Sequence, residues 1–143
     1  MNRFKLAALS ISLFVLSGCA GTGMTSYSMI APELSTNEKG KMFVYRQSGY
    51  VGGGALIDVS INGALVGKLG NGEMMFARAK PGMNIIEAKI SGIQGVGLNS
   101  PMVEIRNNGE KNNFFIIGFK TGLLTNELTL IEITEDSWKR EAN

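Results

Sequence analysis

The chain has no histidine and a single cysteine, Cys19, among its 143 residues. Without histidine, Ser-His-Asp and Cys-His nucleophile–base pairs are excluded, and so are most zinc sites. One cysteine excludes an intrachain disulfide, so the fold must stand without such a staple. Charged residues make up only 18% of the chain, and basic residues form no long run that would track a nucleic-acid backbone. Proline and tryptophan are also scarce, at three and one. Glycine is not: 19 of them punctuate short apolar runs, a pattern of strands and turns.

The N-terminal segment differs from the rest. Asn2-Arg3-Phe4-Lys5 is basic, Leu6 to Leu16 is apolar apart from serines, and Ser17-Gly18-Cys19 closes the run. A basic start, an apolar stretch of 7–15 residues and small residues at its end describe an export signal. The run is shorter than the roughly 20 apolar residues that span a bilayer. A buried N-terminal helix is the alternative, but no amphipathic period supports it. Arg3 and Lys5 would leave with the signal. Of 14 basic residues, 12 would then face 12 acidic ones, so the pI of 8.8 belongs largely to the leader.

Leu16-Ser17-Gly18-Cys19 resembles the lipobox of bacterial lipoproteins. The resemblance implies a diacylglycerol thioether on the Cys19 sulfur, cleavage of residues 1–18, and acylation of the new amine. A lipid on Cys19 would be the only attached group; no metal or other cofactor is expected. Ala20, in place of an aspartate, points to the outer membrane on its periplasmic side.

Residues 19–38 are mostly small and polar and read as a lipidated tether. Within it, Tyr27 to Leu34 is an alternative edge segment lying on the domain. From residue 39 to 143 the pattern is β-rich. Strands are expected at Met42–Tyr45, Ala55–Ile61, Glu73–Ala79, Met83–Ile90, Pro101–Arg106, Asn113–Lys120 and Leu128–Ile133, with one more after Asn62-Gly63. Ile57, Val59 and Ile61 alternate with Asp58 and Ser60, the period of a half-buried strand. Asn62-Gly63 is a strong hairpin signal, since both turn residues take φ > 0. A plain two-residue turn pairs Ile61 with Ala64 and puts Val59 and Val66 on one core face. Phe114 to Phe119 is apolar on both faces, as a central strand is. Thr134 is placed to cap a helix over Glu135–Ala142, acidic residues first and Lys139-Arg140 later. Seven or eight short strands about ten residues apart predict an all-β antiparallel sandwich with a short C-terminal helix.

Lys41-Met-Phe-Val-Tyr-Arg46, Val59-Ser-Ile-Asn-Gly63 with Val66-Gly67, and Ala79-Lys-Pro-Gly82 into Ile85 resemble an uncharacterised family of small bacterial lipoproteins. They are similar, too, to PEGA-type and transthyretin-like sandwich modules. That resemblance implies a fold and no activity. Related modules often carry histidine two residues after the Pro-Gly pair, where this chain has Asn84.

Candidate sites follow from residue type. Gly49 to Gly54 lacks the Gly-Lys-Ser/Thr ending of a phosphate loop and reads as a loop at one end of the sandwich. Asp58, Glu73, Glu87 and Glu104 are candidate paired carboxylates, or simply the outward residues of their strands. Met74, Met75, Met83 and Met102 read as packing rather than copper ligands, with no histidine or cysteine beside them. Tyr45 and Arg46 form a candidate recognition edge. Tyr50 and Trp138 complete the set of partner-contact candidates, although Trp138 reads first as the anchor of the C-terminal helix and only second as a contact with a partner or a lipid surface. The expectation is a non-enzymatic envelope module with a protein partner. A glycan-binding module and a carboxylate-dependent hydrolase are the alternatives.

Overall fold

The computed structural model describes residues 21–95 and 97–143. The expected signal, its lipobox Leu16, Ser17 and Gly18, the lipidation site Cys19 and Ala20 lie outside the described residues. Within them are eight strands and two α-helices: α1 Tyr27–Leu34, β1 Lys41–Arg46, β2 Ile57–Ile61, β3 Ala64–Leu69, β4 Met74–Arg78, β5 Gly82–Ile90, β6 Met102–Asn107, β7 Asn113–Thr121, β8 Asn126–Ile133 and α2 Glu135–Ala142. A 3₁₀ turn, Gly92–Gly95, follows β5.

The strands form two four-stranded sheets. Sheet A has the order β4-β1-β7-β8 and sheet B the order β3-β2-β5-β6. All pairings are antiparallel except β1 with β7, which is parallel. The expected sandwich is therefore present, with one parallel pair at the centre of sheet A. Its core lies between the sheets: Val44, Phe115, Ile117 and Leu128 from sheet A meet Ile57, Val59, Ile86 and Ile105 from sheet B.

A third layer covers the other face of sheet A. Phe43, Tyr45, Phe114 and Ile116 point away from the sandwich core and pack under Ile30 and Leu34 of α1 and Trp138 and Ala142 of α2. The inner strands of sheet A are thus buried on both sides, which is why β1 and the first six residues of β7 contain no exposed position, while Ile131 on edge strand β8 stays 54% exposed. The double-sided apolarity of Phe114–Phe119 carries that information in the sequence.

This layer replaces the expected tether from Gly21 onward and agrees with the alternative that Tyr27–Leu34 lies on the domain, though as a helix on a sheet face rather than an edge segment. From Gly21 onward the segment is folded onto the domain. Met24 pairs with Met74 beside β4, and α1 lies on sheet A. Ile30 and Leu34, four residues apart, share the inward face of the helix. The buried Lys41 ammonium holds the helix end: it pairs with Glu33 at 2.8 Å, bonds Thr36 Oγ1 at 2.8 Å, and sits 5.6 Å from the centre of the Phe76 ring. Pro32 inside the helix and the absence of a side-chain N-cap hide it from local reading.

The Asn62-Gly63 turn forms as expected, with φ of 52° and 80°. The register beyond it does not. Ser60 pairs with Leu65 but Val59 pairs with Gly67, so a β-bulge takes up Val66 and leaves it exposed. Val59 and Val66 do not share the core; Leu69 fills that place instead. Asn84 is fully buried beneath this turn. Its amide donates to Lys80 and Gly82 carbonyls at 2.8 and 3.1 Å and its oxygen accepts from Asn62 at 3.0 Å. The C-terminal helix begins where expected, the Thr134 hydroxyl oxygen accepting from the Ser137 N–H at 3.3 Å.

Candidate functional site

β1 and β7 run parallel, and Ile57 pairs with both Leu69 and Ile90. These registers bring four connections to one end of the sandwich: 47–56, 70–73, 91–101 and 122–125. The 47–56 loop is shaped from below by Arg46. Its buried guanidinium donates to the carbonyls of Gly52, Ala55 and Leu69, the last at 2.8 Å, and lies 6.0 Å from the Phe119 ring centre. Nε finds no partner. Burial pulls the guanidinium below its ordinary value, opposed by the field of Glu73. Gly52, at φ 70°, is the residue over which this loop closes; a side chain there would strike the Phe119 ring.

The structure separates the four candidate contacts. Arg46 is a buried clamp on the loop, and Tyr45 is buried edge-on to Trp138 with ring centres 6.4 Å apart. Neither forms the expected recognition edge, because β1 is an inner strand of a sheet covered on both faces. Trp138 is wholly buried and takes its anchoring role: its indole N–H donates to the Phe115 carbonyl at 3.1 Å, and its ring packs on Phe43 and Phe114. Tyr50 alone is open, fully exposed on the 47–56 loop.

Two of the four carboxylate candidates are engaged by separate partners. Asp58 is held by Lys68 at 2.6 Å, and Glu73 accepts from the Gly70 N–H at 2.8 Å. Glu87 and Glu104 point outward from sheet B, in positions paired with Ser60 and Ile85. The methionines divide: Met74 and Met75 are buried as expected, whereas Met83 and Met102 are exposed. No group of three or more metal-binding side chains occurs among the described residues, and no described helix is long and apolar enough to cross a membrane.

Two surfaces remain that sequence reading passed over. The first is the outer face of sheet B, which no helix covers among the described residues. Leu65, Met83, Ile85 and Met102 stand there, each 40–62% exposed, between Ser60, Glu87, Glu104 and Arg106. Strand parity held the signal: with Ile86, Ala88 and Ile90 inward, Met83 and Ile85 must face out. The second is the loop end itself, where Ile93, Leu123 and Leu124 join Tyr50 as exposed residues. Between the 91–101 loop and the β7–β8 hairpin lies an open cleft of about 580 Å³, lined by Leu98, Asn99, Lys120, Gly122 and Thr125 among others.

Comparison with family models, curated proteins and solved structures returned no match to this chain.

Proposed function

We propose that this chain is a lipid-anchored envelope protein, attached through Cys19 to the periplasmic side of the outer membrane, that acts by binding another envelope protein rather than by catalysis. The observation that carries the reading is Leu16-Ser17-Gly18-Cys19 at the end of an apolar run with a basic start. Two or more acyl chains hold a protein stably at a bilayer, at about 0.8 kcal/mol per buried methylene. The outer face of sheet B suits the partner contact: apolar side chains spaced among charges of both signs tolerate water and reward a complementary surface. The resemblance to small lipoproteins with sandwich modules agrees with this reading and adds no activity to it.

The glycan-binding alternative needs an exposed aromatic platform. With Tyr45 and Trp138 in the core, only Tyr50 of its three rings is available. Of the carboxylates the hydrolase alternative calls on, Asp58 and Glu73 are taken up by separate partners.

The test has two parts. Cells fed a labelled fatty acid should mark the parent protein and leave Cys19→Ser unmarked and unprocessed; an unchanged variant refutes the anchor. A photo-crosslinking residue at Ile85 should then trap one envelope protein at fixed ratio in intact cells. Recovery of glycan alone would overturn the protein-partner reading.

A further inference from the structure

The two ends of the sandwich differ in kind. At one end the connections carry Glu38, Lys39, Lys80, Glu110 and Lys111. At the other, the loops 47–56, 91–101 and 122–125 contain no charged residue. The large apolar side chains there point into solvent: Tyr50 is 101% exposed, Ile93 89%, Leu123 104% and Leu124 96%. The one charge in the fourth connection, Glu73, is turned back onto the Gly70 N–H.

The described chain also enters at this end. Thr22 N–H donates to the Lys68 carbonyl at 2.8 Å, and Met24 exchanges backbone bonds with Met74. Gly21 is wedged against the Glu73 carboxylate and the Gly70 backbone with no room for a side chain. The 70–73 turn is in turn tied to the 47–56 loop, Gly49 N–H donating to Asn71 Oδ1 at 3.0 Å. Cys19 is two residues before Gly21, a backbone reach of at most about 7 Å. Four strands at their usual spacing make this end only about 15 Å across.

From these two observations we propose that the uncharged loop end is a membrane-docking surface, with Leu123, Leu124, Ile93 and Tyr50 entering the interfacial layer of the bilayer that holds the Cys19 lipid. The proposal rests on the lipoprotein reading, because the anchor makes the bilayer the occupant of this surface. A lipid so close to the domain brings the 70–73 turn to the headgroups, and the neighbouring loops are then within reach of the same surface. Leucine and isoleucine favour that layer, a tyrosine ring suits the headgroup level, and a charge at any of these tips would oppose entry. Docking through this end orients the domain: the charged end faces away from the membrane, and the open face of sheet B stands upright beside it. The leucine tips thus supply a second contact with the bilayer in addition to the acyl chains.

The test uses the full-length protein after its own processing and lipidation, in vesicles of phosphatidylethanolamine and phosphatidylglycerol. Cys19 is the only cysteine and its sulfur would be alkylated, so Leu124→Cys, Ile93→Cys and Lys111→Cys each offer one free thiol for an environment-sensitive fluorophore. Emission from positions 124 and 93 should rise several-fold on reconstitution. A quencher carried on lipid should remove most of it and leave position 111 untouched. Labels at 124 and 93 that stay water-like, with the N-terminal peptide still carrying its lipid by mass, would overturn the docking and leave the lipoprotein reading standing. Labels shielded from an aqueous quencher yet unaffected by the lipid one would place a second copy or a protein partner there, and overturn it equally. An N-terminal peptide without lipid would remove the lipoprotein reading and the docking together. All three substituted positions are open to solvent, and Trp138, buried between sheet A and its helices, reports that each variant is folded.

Discussion

The outward faces of the two sheets have opposite fates. Sheet A presents Phe43, Tyr45, Phe114 and Ile116 and is closed by two helices. Sheet B presents Met83, Ile85 and Met102 among Glu87, Glu104 and Arg106, and is left uncovered among the described residues. A face so dominated by large aromatic and aliphatic side chains gains by leaving water, and the chain supplies its own cover from segments at both ends of the domain. A mixed face is stable in water and still gains from a partner. The contrast teaches where to look for recognition: away from the largest aromatic cluster, on the sheet whose strands alternate.

Substitutions on the two faces sharpen this contrast. The largest effect is expected for Trp138→Ala, which removes the centre of the covered face and the bond to the Phe115 carbonyl. Urea unfolding should show a loss of about 3–5 kcal/mol. Ile30→Ala, on the underside of α1, should cost about 2–4 kcal/mol by the same measurement. A result near zero would mean that α1 is not part of the stable fold. On the open face, Met83→Ser should change stability by no more than about 0.5 kcal/mol while abolishing the partner adduct formed from position 85. Substantial destabilisation there would erase the distinction between the faces.

The smallest effect concerns the strap that leads from α1 into β1. Arg78 grips the Glu38 carboxylate with two guanidinium nitrogens, and this bonding, reinforced by the nearby Lys41 charge, holds the carboxyl below its ordinary value of 4.5. A carboxyl that titrates lower when folded stabilises fully above about pH 4.5 and loses that contribution as pH falls through the folded value. Arg78→Gln should therefore flatten the acid limb of a thermal-melt profile slightly. The pair is exposed, so salt should weaken the same effect.

Much of the fold was legible locally. The alternation of Ile57, Val59 and Ile61, the Asn62-Gly63 turn and the Thr134 cap all stand where the sequence places them. The site was less legible. Tyr45 and Arg46 are candidate recognition residues because aromatic and arginine side chains serve at interfaces, yet both serve the interior, whereas Trp138 takes the anchoring place that its position in the C-terminal helix suggests. Tyr45 and Trp138 are buried by the packing of residues 27–34 and 135–142 on sheet A, and Arg46 by the 47–56 loop; no pattern around β1 announces either. Met83 and Met102 were misjudged in the other direction, since methionine composition says nothing about which face a strand turns outward.

By itself the sequence determined the all-β class, the positions of turns and the C-terminal helix, because each depends on φ preferences, side-chain period or capping bonds among residues a few positions apart. Tertiary structure alone decided the parallel pairing of β1 with β7, the bulge at Val66, the packing of residues 21–38 along the edge of the sandwich and over sheet A, and the gathering of three uncharged loops at the end where Gly21 lies. Those features join residues tens of positions apart, as when the Lys41 N–H bonds to Asn112 across 71 residues. The free energy that selects such contacts comes from burying sheet A on both faces at once, a gain that appears only when the whole domain has closed.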